Sequence, residues 1–80
     1  MQYYLMAPGD TEQDALNEAN LLGEASFDHF WAGTALRNLM KVVETKPELL
    51  VLLKIVNEKG QTLDVGEFLE GIKHLKVIIK

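Results

Sequence analysis

The feature that most constrains this chain is the run Leu49-Leu50-Val51-Leu52-Leu53-Lys54-Ile55-Val56, where one charge interrupts eight positions. A stretch that apolar, and that rich in β-branched and leucine side chains, predicts a strand buried on both faces at the centre of a sheet. Pro47 forces Lys46 towards an extended conformation and can start a helical turn of its own. That turn takes up Leu49 and Leu50 and leaves Val51 to Val56 as the strand.

Helices are predicted on both sides of this run. Upstream, Leu36, Leu39, Met40 and Val43 recur at the spacing of one helix face, with Arg37, Asn38, Lys41 and Glu44 on the other. Gly33 or Thr34 is placed to cap that helix, and Pro47 ends it. Downstream, Asp64 and Glu67 form a capping-box pattern, with Leu63 and Phe68 as a hydrophobic staple. Val65, Phe68, Leu69, Ile72 and Leu75 then form an apolar stripe. Gly71 flanks the stripe, where close approach of helix to strand would account for it. The chain ends on Lys76-Val77-Ile78-Ile79-Lys80, a strand with a lysine at each end. Strand, helix and strand within some thirty residues match one βαβ unit, which predicts two parallel neighbouring strands.

The first half is less regular. Gln2 to Ala7 reads as a strand stopped by Pro8-Gly9-Asp10. Asp10 can cap a helix over Thr11 to Asn20, with Gln13 as its box partner. Leu21 to Phe27 alternates, as a short half-buried strand or an extended loop would, and Asp28 to Gly33 breaks the pattern. The fold class expected is α/β or α+β: one domain over residues 1–80, with a single-layer sheet of three or four strands, at least partly parallel, packed by two main helices.

Composition excludes several functions. The absence of cysteine removes disulfides, thiolate catalysis and cysteine-based metal sites. No apolar run approaches the roughly 20 residues of a membrane span, and the first residues lack a basic signal-peptide region. A cytoplasmic protein without membrane contacts is expected. The net charge of −4 is uneven: Asp10, Glu12, Asp14, Glu18, Glu24 and Asp28 stand against Arg37 alone in the first forty residues. The lysines of the second half alternate with acids, so no basic stripe replaces phosphate counterions, which argues against a nucleic-acid partner.

Asp10-x-Glu12-x-Asp14 has the spacing of a calcium loop, but Ala15 and Leu21 occupy the positions that need glycine and a bidentate glutamate. There is no phosphate-binding glycine motif and no nucleophile elbow around Ser26. No cofactor, metal or catalytic residue is predicted.

One cluster singles itself out. Phe27-Asp28-His29-Phe30-Trp31 packs three of the six aromatics beside a histidine and a carboxylate. Asp28, His29, Phe30 and Trp31, together with Arg37, are the candidate residues for partner or ligand contact. The competing structural reading makes Phe27, Phe30 and Trp31 a plug at one end of the core, with His29 exposed.

Two further stretches carry a resemblance. Tyr4-Leu5-Met6-Ala7-Pro8-Gly9-Asp10-Thr11 with Asn20-Leu21-Leu22-Gly23-Glu24, and Val65-Gly66-Glu67-Phe68-Leu69, are similar to small uncharacterised proteins of T4-like marine tailed phages. The resemblance covers about half the chain. It implies a phage-encoded accessory protein in a bacterial cell, and no activity or site residue.

The functional expectation is a small non-enzymatic module that acts through protein contacts or self-association, possible routes being the acidic face, the aromatic patch or a sheet edge. A homodimer fits an 80-residue chain that has no staple. The alternative is a ligand-binding protein or enzyme using the Asp28/His29/Trp31 region. A third is an acidic DNA mimic.

Overall fold

The computed structural model describes residues 1–79. It is an α+β fold built on one six-stranded mixed sheet. In chain order the elements are β1 (Gln2–Met6), α1 (Glu12–Ala15), β2 (Leu21–Ser26), β3 (His29–Ala32), α2 (Leu36–Thr45), β4 (Lys54–Asn57), β5 (Thr62–Leu63), α3 (Val65–Ile72) and β6 (Lys76–Ile79). Short 3-10 helices occupy Glu18–Asn20 and Pro47–Leu52.

The sheet order is β5-β4-β1-β2-β3-β6, which corrects the expected three or four strands. The two additional strands are β3, where the break at Asp28 proved to be only a turn between paired strands, and the two-residue β5. The predicted parallel neighbours also fall. β4 is flanked by β1 and β5, both antiparallel to it, so it has no free edge for β6. β6 instead pairs in parallel with β3, the open side of the β2–β3 hairpin. Helix α3 therefore links the strands at opposite edges of the sheet. The expected last residue of that strand, Lys80, lies outside the described residues.

The most apolar run is not the centre of the sheet. Pro47 starts a 3-10 helix that lasts to Leu52, and β4 begins only at Lys54. Leu50 and Leu53 turn towards the core, whereas Leu49, Val51 and Leu52 are exposed, Val51 at 85%. The centre is formed by β1 and β2, whose register slips by a β-bulge between Tyr3 and Tyr4.

One cluster holds the molecule together: Leu22, Phe30, Ala35, Leu39, Ile55, Val65 and Phe68 are all buried. Phe68 of α3 lies against Tyr3 of β1 and Phe30 of β3, with ring centroids 5.3 and 5.8 Å apart. It thus ties two strands to the helix, and aromatic pairs of this kind add about 1 kcal/mol beyond burial. Asp64 Oδ1 accepts from the Glu67 backbone N–H at 2.7 Å, which starts α3 as predicted. The predicted reason for Gly71 does not hold, because a Cβ there would meet nothing within 4 Å.

The other caps differ from those expected. Thr11, not Asp10, caps α1, in a reciprocal box with Asp14. Asp10 accepts from the Ala7 N–H instead and closes the preceding turn. The helix stops at Ala15 because Asn17 caps a separate 3-10 turn by accepting from Ala19 N–H. The Thr34 hydroxyl donates to the Glu18 carbonyl, and Ala35 stands at the start of α2 without a side-chain cap.

The buried polar side chain Asn57 is fully used. It accepts from the backbone N–H groups of Lys59 and Gln61 and donates to Gln61 Oε1, which fixes the turn between β4 and β5.

Candidate functional site

Alternation along β3 divides the aromatic cluster between two faces of the sheet. Phe30 is fully buried in the core. His29 and Trp31 point to the opposite face, their rings 5.7 Å apart. Phe27 and Asp28 form a two-residue turn between the paired residues Ser26 and His29. Phe27 is completely exposed there and plugs nothing. The structure thus separates residues that are adjacent in sequence: Phe30 is structural, Phe27 is a tip, and Trp31 lies on a second surface.

Asp28 and His29 do meet. Asp28 Oδ1 is 2.6 Å from His29 Nδ1, with both side chains in contact with solvent. Their neighbouring positions would place them on opposite faces of a regular strand. The turn at Asp28 releases its side chain from that rule.

Trp31 and Arg37 come together in a different place. Both line an open groove of about 800 Å³ between the start of α2 and the β3–β6 edge of the sheet. Its apolar lining includes Leu21, Trp31, Leu36, Met40, Val77 and Ile79. Val77 and Ile79 are 48% and 79% exposed on a strand that no further strand covers. Gln2, Glu24 and Trp31 form one cross-strand row along β1, β2 and β3 and supply part of the floor. Glu18, Glu24 and Arg37 are the ionisable lining residues, so the groove contains no histidine. The Asp28–His29 pair is not part of it.

Of the five candidate residues, then, the groove takes Trp31 and Arg37, the hairpin tip takes Asp28 and His29, and the core takes Phe30. Sequence reasoning missed Leu36, Met40, Val77 and Ile79 as groove residues. It assigned Leu36 and Met40 to an apolar helix face and Val77 and Ile79 to a terminal strand, and the pairing of β6 with β3 leaves that strand at an open edge.

Among the described residues, no group of three or more histidine, cysteine, aspartate or glutamate side chains is placed to hold a metal ion. No helix among them is long and apolar enough to cross a membrane. The acids of the first half are spread over separate elements, and Asp10 and Asp14 are engaged by neighbouring backbone N–H groups.

Fold and groove together define a single-sheet α+β domain with an open apolar groove at one sheet edge. No protein-family model, curated protein or solved structure matches the chain.

Proposed function

We propose that this chain is a small non-enzymatic interaction module whose contact surface is the groove between α2 and the β3–β6 edge. The observation that carries the reading is that Trp31, Leu36, Met40, Val77 and Ile79 all line one open groove at the sheet edge. Exposed apolar area gathered in one place, with a polar rim, is typical of surfaces that a partner covers. Tryptophan at its floor and arginine at its rim are the residue types that dominate binding energy at such surfaces. The Asp28–His29 pair lies outside the groove, so the groove itself offers no acid–base pair for an enzymatic reading. The phage resemblance adds the context of an accessory protein.

A second reading has one observation in its favour. A volume of about 800 Å³ lies within the range of small-molecule sites. Affinity capture from a lysate of the natural host separates the two, using the parent protein and Ile79→Glu, a change at an exposed position. A protein retained by the parent and lost with Ile79→Glu supports the interaction module. Equal capture by both, with a small molecule on the parent in native mass spectrometry, overturns it.

A further inference from the structure

The tip of the β2–β3 hairpin is built against its own local preference. Two-residue hairpin turns favour glycine, asparagine or aspartate where φ is positive. Here Phe27 has φ +30°, the one positive value for a non-glycine residue among those described. A bulky side chain is an outlier in that region. Its ring is also completely exposed. Backbone strain and a hydrated aromatic ring fall on the same residue, and no ring contact or packing within the described residues offsets either. Strained backbone of this kind clusters at functional sites, which makes the tip a place to look for one.

The same chain carries a matching recess. The groove is lined by Trp31, Leu36, Met40, Val77 and Ile79, and exposed Arg37 stands at its rim. Beside Phe27 stands Asp28, paired with His29 yet 68% exposed at its side chain, and opposite in charge to Arg37, the one cation among the groove's ionisable lining residues, which also include Glu18 and Glu24. Phe27 is not among the groove's lining residues. It precedes the first residue of β3, whereas Thr34 to Asn38 follow the last. The tip belongs to a tight turn and does not fill its own groove.

We propose that Phe27 of one copy inserts into the groove of a second copy, where Asp28 meets Arg37. The inference rests on the reading of the groove as an interaction surface. Knob and recess are different patches, so the contact is heterologous and repeats from copy to copy, giving a ring or an open chain rather than a closed dimer.

The test uses sedimentation velocity across concentration, with the emission of Trp31 as a second signal. Trp31 is the chain's one tryptophan and lies in the groove, so its emission reports occupancy directly. Phe27→Gly removes the knob and suits the positive φ, so the fold is kept. Ile79→Glu damages the recess at an exposed position and sets a negative charge against Asp28. The parent is expected to pass beyond a dimer as concentration rises, with a blue shift of Trp31 emission. Each variant alone is expected to associate at least about tenfold more weakly. Mixed together they are expected to form a one-to-one pair and nothing larger, because only the knob of Ile79→Glu and the recess of Phe27→Gly remain intact. Self-association of Phe27→Gly equal to that of the parent overturns the proposal, as does a mixture that stays monomeric or a parent that is monomeric at millimolar concentration. An apolar fluorescent probe, anilinonaphthalene sulfonate, separates the two failures. If Phe27→Gly binds it and Ile79→Glu does not, the groove reading survives the loss of self-insertion. If neither binds it, both readings fall.

Discussion

Gly23 of β2 lies so close to Phe30 of β3 that a Cβ on it would stand 2.4 Å from the ring's Cζ atom. It would stand equally close to the Trp31 carbonyl oxygen, which is backbone and cannot swing aside. The glycine is therefore what leaves room for the Phe30 ring where it packs against Phe68. Gly23→Ala is expected to destabilise the protein by about 3 kcal/mol, the upper range for overpacking a core. Urea unfolding is the measurement: the midpoint falls while the slope is retained.

Gly71 makes the opposite case. It sits inside α3, and an added Cβ meets nothing within 4 Å. Glycine costs about 1 kcal/mol relative to alanine in a helix interior. Gly71→Ala is accordingly expected to stabilise by about that amount, read as a rise in the thermal midpoint. A fall would show that α3 needs its glycine for a contact absent from this structure.

Phe27 should be dispensable for folding. Its φ of +30° suits glycine, and its ring makes no packing contribution at full exposure. Relief of an unfavourable backbone conformation outweighs the added flexibility of the unfolded chain, so Phe27→Gly is expected to raise stability by about 1 kcal/mol. Chemical denaturation at low protein concentration measures this free of any self-association.

Asp14 carries the pH dependence of α1. The Thr11 backbone N–H donates to its carboxylate, and the Thr11 hydroxyl adds to the effect, so its pKa lies below the ordinary 3.8. A carboxyl with a depressed folded pKa stabilises the fold above its unfolded value and loses that contribution as pH falls through the folded one. The window therefore lies below about pH 4. Asp14→Asn is expected to weaken α1 at neutral pH, and its difference from the parent should shrink as the solution is acidified through that window. Carbon-detected NMR titration should place the Asp14 carboxyl below the ordinary 3.8.

Local signals in the chain are legible where their causes are local. The strand at Gln2, the turn at Pro8-Gly9, the apolar face of α2 and the Asp64 cap all depend on residues within a turn or two of one another. The α1 cap falls at Thr11, one residue after the expected Asp10, because both are good caps and the choice depends on which reaches a free N–H. The candidate site was legible only in part. Trp31 and Arg37 do share a surface, but their apolar partners Val77 and Ile79 come from the far end of the chain.

By itself, then, the sequence determined that this is one cysteine-free domain with two amphipathic helices, a strand at each end and an aromatic cluster near Asp28. Only the tertiary structure decided the rest. The run from Leu49 was expected at the centre of the sheet, yet β4 lies next to its edge while β1 and β2 hold the middle. Hydrophobicity states that a segment gains by burial, not which neighbour buries it. Strand order depends on which hydrogen-bonding edges remain unpaired as the sheet is assembled. Here β1 and β5 take both edges of β4, β6 is left to the open side of β3, and the exposed Val77 and Ile79 become the wall of a groove.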